Sequence, residues 1–235
     1  GGLGITERDF HTIRQLVYDN FGTNLTDQKR SLVVGRLQKV LRQRDFPDFP
    51  SYLEWLQNDR TGEGLEELAS RISTNHTFFW RENSHFNHFA EAALPEMVAR
   101  HRQDSGRLRI WCAGCSSGEE PYTLAMLMRE VLGNEYDRFA PVLLATDISQ
   151  VALRTAMAAV YPEERLEQMP RGLLRKYLRK GPRPQTWQIG EEIRRQVIFR
   201  RHNLMNGSFP FKHPFDAVFC RNVMIYFDRP TRDAL

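Results

Sequence analysis

The 235-residue chain has little cysteine: three residues, Cys112, Cys115 and Cys220. That is too few for a disulfide framework, so the sequence predicts a reducing, cytoplasmic setting. No apolar run approaches the ~18 residues of a membrane span, and no charged-then-apolar leader opens the chain. Neither membrane insertion nor secretion is therefore expected. Charge of one sign is not in large excess either: the net +4 is the difference between 33 basic and 29 acidic residues. Such a surplus does not call for a nucleic-acid partner. No segment is compositionally simple, and with 41% hydrophobic residues the chain is expected to fold throughout.

The residues that are present divide into two patterns. Over 1–72 the reading is a helical domain. Thr6 is placed to cap a helix carrying Phe10, Ile13, Leu16, Val17 and Phe21, ended by Gly22. Thr26 is placed to cap a second helix. After the break "PDFPS", Ser51 and Glu54 make a capping-box pattern, and "EGLEELASRIS" starts a further helix.

From about residue 107 short apolar runs alternate with helical ones: "RLRIWCAG", "GEEPYTLAMLMREVLG", "APVLLATDIS", "SQVALRTAMAAVY". This alternation predicts an α/β domain over 73–235, with a parallel sheet covered on both faces. Gly-Pro turns and short alternating stretches make 178–199 an antiparallel insertion. About four parallel strands can be counted before "DRPTRDAL", fewer than such sheets usually have, so C-terminal strands are expected to be missing.

The stretch "WCAGCSSGEEPY", 111–122, follows the first of these strands, where α/β proteins bind nucleotides. Its CxxC pair could serve zinc with His76, His85 and His88, or a thioredoxin-type site. Convergence of four ligands from separate elements is demanding, and a redox CxxC opens a helix, whereas Cys112 ends a strand. Cys112, Cys115 and Cys220 are therefore read as packing residues, as are Phe78, Phe79, Met126 and Met128, and no metal is expected. The loop is neither a P-loop nor a full G-x-G-x-x-G. Gly114 and Gly118 permit a tight turn. Glu119 and Glu120 open the following helix, where a pyrophosphate would meet like charge, and Asp147 ends the second strand, where an acid can bind both hydroxyls of a ribose. A ligand with a ribose and a positive charge points to S-adenosylmethionine. Helix-dipole stabilisation by Glu119 and helix capping by Asp147 are the structural alternatives.

"RISTNHTFFWRE", "AGCSSGEEPYTLAM", "LLATDIS", "RRHNL" and "FDAVFCRNVMIYFD" occur in that order. Together they resemble the successive motifs of the chemotaxis receptor methyltransferases, the CheR family, with a similar helical domain in front. The resemblance implies a Rossmann-like S-adenosylmethionine-dependent methyltransferase domain with a small β-subdomain. It implies methylation of glutamate side chains on the cytoplasmic helical bundle of chemoreceptors, with S-adenosyl-L-homocysteine as product. By motif position it assigns Asn75, Thr77, Arg81, Gly114, Glu119, Asp147, Asn203, Leu204, Arg221, Asn222 and Val223 to the cofactor. Glu119 meets its charged methionine end, Asp147 its ribose, and Asn203 and Leu204 its adenine. Arg81, Arg221 and Tyr226 are the implied catalytic residues. In some members the β-subdomain docks a receptor's C-terminal peptide.

A glutamate acceptor is already ionised near pH 7, so this chemistry needs no strong general base. Six basic residues without an acid, Lys29, Arg30, Arg36, Lys39, Arg42 and Arg44, could steer acidic substrate helices or form an ordinary solvated face. The competing readings are a methyltransferase with another acceptor and a module that binds cofactor or receptor without turnover.

Overall fold

The computed structural model describes residues 4–72, 77–104, 107–206 and 209–235. Helix α1 (Glu7–Phe21) begins at Thr6, whose hydroxyl accepts from the Asp9 N–H while the Asp9 carboxylate accepts from the Thr6 N–H. Gly22 ends it in the left-handed conformation. Helix α2 (Arg30–Gln43) starts later than Thr26 predicts, because one 3-10 turn, Asp27–Lys29, intervenes and the Thr26 hydroxyl makes no capping bond. Helix α3 (Phe49–Asn58) starts earlier than predicted. Its cap is Asp48, which accepts from Ser51 N at 2.9 Å, and Pro50 sits in the first turn, where a missing N–H costs no helical bond. With α4 (Glu63–Ile72), these helices bury Phe10, Ile13, Leu37, Tyr52, Leu56 and Leu68 in one core.

A second core surrounds a sheet. Helices α5 (Asn83–His88) and α6 (Leu94–Asp104) lead to β1 (Arg109–Ala113). Then follow α7 (Glu119–Leu132), α8 (Tyr136–Phe139), β2 (Val142–Asp147) and α9 (Gln150–Ala158). Strand β3 (Val160–Pro162), helix α10 (Arg171–Tyr177), the hairpin β4 (Leu178–Lys180) and β5 (Thr186–Ile189), and α11 (Glu191–Arg194) come next. Strands β6 (Val197–Arg201) and β7 (Ala217–Phe219) and helix α12 (Arg229–Ala234) complete the series. The main sheet is parallel, in the order β6-β2-β1-β7, with Cys112 opposite Ala145 and Phe219 and Asp147 opposite Arg201. Met126 and Met128 of α7 are fully buried against it, as read from sequence.

The antiparallel hairpin expected within 178–199 is present as β4 and β5, but the small sheet is not confined to that segment. It is antiparallel in the order β3-β5-β4, so its third strand comes from before the hairpin, and Val197–Arg201 belongs to the parallel sheet. Tyr161 supplies the reason. Its buried ring stands edge-on to Phe79 and Tyr122, which ties β3 to the main core.

The helical unit sits over the carboxyl ends of the parallel strands, held in part by the end of α1 and the turn that follows it. Asn24 N donates to the Tyr226 carbonyl at 2.8 Å, Thr23 bridges Phe227, and the Tyr18 hydroxyl donates to Asp228 at 2.8 Å. Asn203 Nδ2 donates to the Asn20 carbonyl at 2.7 Å. Among the described residues no helix is long and apolar enough to cross a membrane.

Candidate active site

Between the two units lies a cavity floored by the carboxyl ends of β1, β2, β6 and β7. Of the residues singled out from sequence, Thr77, Arg81, Gly114, Asp147, Asn203, Leu204, Arg221, Asn222, Val223 and Tyr226 all line it. Asn75, like His76, lies outside the described residues.

The turn after β1 is shaped by backbone geometry. Gly114 has φ +72°, and a Cβ there would stand 2.1 Å from a methyl of Val223. Gly118 serves packing: a Cβ would meet Ala156 and the Tyr161 hydroxyl, both at 2.9 Å. Between them Ser116 N donates to Asp147 Oδ2 at 2.8 Å, and Ser149 N donates to Asp147 Oδ1 at 2.8 Å. Ser149, not Asp147, caps α9. Asp147 is thus held by two backbone donors at the cavity wall. Burial nevertheless raises its pKa, against the opposing pull of the Ser149, Ser116 and Ile148 N–H groups.

Glu119 departs from expectation. It is absent from the cavity lining and fully buried, accepting from Ser117 Oγ at 2.7 Å and from Arg165 at 2.8 Å. Arg165 also donates to the Thr77 carbonyl at 2.6 Å, so Glu119 anchors the cavity wall from behind. The acid that does line the cavity is Glu120. Its Oε2 accepts from Arg221 Nη1 at 2.8 Å and its Oε1 from the Cys112 thiol at 2.9 Å. Burial raises its pKa, opposed by Cys112 and Arg221. Successive residues of a helix point about 100° apart, and nothing in "GEEPY" says which of the pair faces the strand ends.

Arg221 also bonds the Arg81 carbonyl and lies 3.2 Å from Glu82 Oε2, and Asn222 Nδ2 donates to Glu82 Oε1 at 3.3 Å. The segment carrying Arg81 is thereby stitched to the segment carrying Arg221 and Asn222. Phe79 is core, whereas Phe78 lines the cavity, contrary to its reading as packing. Cys220 is half-buried just beyond β7 and not a buried strand residue, because β7 ends at Phe219. Among the described residues no three His, Cys, Asp or Glu side chains gather where they could hold a metal ion.

The helical unit supplies Val17, Phe21, Leu32 and Val33, which the sequence shows simply as apolar helix positions, and Leu25 from the connection after α1 to the same cavity. Three other lining residues carry buried polar atoms without a protein partner: Ser116 Oγ, His202 Nε2 and Arg221 Nε. Buried polar atoms of this kind ordinarily find partners, so they are consistent with a polar ligand. Two carboxylates, an apolar wall and unmatched polar atoms suit a ligand that is cationic at one point, rich in hydroxyls at another and flat and apolar at a third. S-adenosylmethionine has that character.

The family model described as "CheR methyltransferase, SAM binding domain" matches residues 75–235, and "CheR methyltransferase, all-alpha domain" matches residues 8–73. The chain belongs to the CheR methyltransferase family. It is accordingly a methyltransferase whose cofactor is S-adenosylmethionine. A chemotaxis protein methyltransferase of Borreliella burgdorferi is 40% identical over 99% of this chain and 82% of its own length. Chemotaxis protein methyltransferase 2 of Pseudomonas aeruginosa is 39% identical over 98% of the chain and 80% of its length. The Escherichia coli chemotaxis protein methyltransferase is 34% identical, covering 99% and 79% respectively. Both parts of this CheR-family chain, helical and α/β, are thus shared with relatives that carry the same name.

Proposed function

We propose that this chain transfers the methyl group of S-adenosylmethionine to glutamate side chains on the helical bundle of chemoreceptors, in the cytoplasm. The observation that carries the reading is the joint presence of Glu120, Asp147, Arg221 and Tyr226 around one cavity at the strand ends of a CheR-family methyltransferase. In this reading Glu120 takes the place assigned to Glu119 and faces the cofactor's ammonium. Asp147 binds the ribose, and Asn203 and Leu204 flank the purine. Arg81, Arg221 and Tyr226 stand near the transferred methyl, above Asn222 and Val223.

Bound S-adenosylmethionine supplies a methyl group on a sulfonium, ready for in-line displacement. The acceptor carboxylate is ionised at neutral pH, so the protein has no proton to remove and its task is to orient and dry the two partners. Both charges diminish on the way to the transition state, so a donor that held the carboxylate tightly would slow the reaction. Arg221 suits this requirement because Glu120 and Glu82 already share its charge.

The substrates are acidic helices. Of the six basic residues at 29–44, Arg30 pairs with Glu7, Arg44 with Glu67, and Arg36 donates to the carbonyls of Arg71 and Ile72. Lys39 and Arg42 are exposed on α2, and Lys29 lies 5.0 Å from the Tyr226 ring centre. Steering of substrate is therefore assigned to Lys39, Arg42 and Lys29. The small β3-β5-β4 sheet is the place for a receptor C-terminal peptide. Neither nucleic acid nor membrane insertion is involved.

The test is transfer of radiolabelled methyl from S-adenosylmethionine to receptor-containing membranes. Label on the receptor that mild base releases as methanol is expected. Base-stable label, or an unlabelled receptor alongside a labelled small molecule, would show a different acceptor.

A further inference from the structure

Cys112 is the penultimate residue of β1, flanked by Ala145 of β2 and Phe219 of β7, and is wholly buried. Its sulfur is 2.9 Å from Glu120 Oε1, while Arg221 occupies Glu120 Oε2 at 2.8 Å. Each oxygen of the cavity-facing carboxylate is therefore held by one donor, from two different strand ends. A carboxylate offers about four acceptor positions, so two donors fix the group and leave lone pairs for a ligand. The contact requires the thiol to keep its proton. Burial ensures this, pushing the Cys112 thiol well above its ordinary range, with Glu120 adding to the effect.

We infer that Cys112 is a positioning residue for cofactor binding: its S–H fixes the Glu120 carboxylate toward the cationic amino-acid end of S-adenosylmethionine. The first cysteine of the CxxC pair thus works as a neutral hydrogen-bond donor, neither redox-active nor metal-binding. The inference rests on the assignment of Glu120 to the cofactor's ammonium.

The experiment titrates two ligands into the full chain by calorimetry. S-adenosylhomocysteine carries the amino-acid end; 5′-methylthioadenosine lacks it. Cys112→Ala removes the donor, Cys112→Val removes it while filling more of the volume, and Cys112→Ser keeps a donor. Cys112→Ala and Cys112→Val are expected to weaken S-adenosylhomocysteine about tenfold and leave 5′-methylthioadenosine unchanged, with Cys112→Ser restoring most of the loss. Unchanged S-adenosylhomocysteine binding in both donor-free variants overturns the inference. So does equal loss of both ligands, which would mark a packing defect. Glu120→Gln run in parallel separates the two levels: if it leaves S-adenosylhomocysteine binding intact, the Glu120 assignment itself fails, and if wild type binds neither ligand, the cofactor site is misplaced.

Discussion

Arg221 Nη1 lies 2.8 Å from Glu120 Oε2, and the two side chains are only 12% and 15% exposed. The pair joins the segment after β7 to the first turn of α7 across the floor of the cavity. Truncating one partner of so enclosed a pair strands the other, whereas a neutral isostere keeps shape and removes charge. Glu120→Gln is therefore expected to weaken S-adenosylhomocysteine binding by roughly tenfold or more, about 1.4 kcal/mol or above. Glu119→Gln should behave differently. It loosens the Ser117–Arg165–Thr77 support behind the wall and should lower thermal stability by about 1–3 kcal/mol with a smaller effect on affinity. Calorimetry and thermal melts on the two variants distinguish these outcomes, and a reversed pattern would return Glu119 to the cofactor.

Binding should depend on pH with a definite sign. Glu120 and Asp147 both have raised pKa values, chiefly through burial. A cationic ligand needs Glu120 ionised and ribose hydroxyls need Asp147 as an acceptor, so affinity is full above these raised values and lost as pH falls through them. The decline should begin above the ordinary carboxylate range near ~4. A titration series from neutral pH downward checks this, and Glu120→Gln should flatten the curve.

The turn that holds the helical unit in place offers a stability test. Gly22 has φ +65°, and a Cβ there would stand 2.4 Å from Met205 Sδ and 3.0 Å from a methyl of Thr231. Gly22→Ala combines left-handed strain of about 1–2 kcal/mol with that clash. A lower melting temperature is expected. Adding Met205→Ala should recover the part due to the clash and leave the backbone part.

Tyr226 is held from behind, its carbonyl accepting from Asn24 N at 2.8 Å, while its side chain lines the cavity. Tyr226→Phe should preserve that backbone tie and the ring's place beneath Lys29. Turnover at saturating cofactor is expected to fall several-fold or more, with S-adenosylhomocysteine affinity nearly unchanged. Comparable loss of affinity and turnover would move Tyr226 from the acceptor side to the cofactor side.

The sequence by itself determined the parts that depend on local periodicity and chemistry. Capping at Thr6, the stop at Gly22, the alternation of β1, α7, β2 and α9, and the acid at the end of β2 all follow from spacing and side-chain type. The glycine turn after β1 was likewise legible. The tertiary structure decided whatever depends on direction or on partners distant in the chain. Glu120 rather than Glu119 faces the cavity because of how α7 is rotated against the sheet. Strand β3 joins the hairpin because Tyr161 needs the core under Phe79 and Tyr122. The apolar residues of α1 and α2 that reach the cavity look in sequence like any others that fill a helical core, because periodicity reports that a face is buried and not what buries it. In "WCAGCSSGEEPY" the cysteines stand out, but only the fold brings the Cys112 thiol to the Glu120 carboxylate, where Arg221, a hundred residues away, completes its hold.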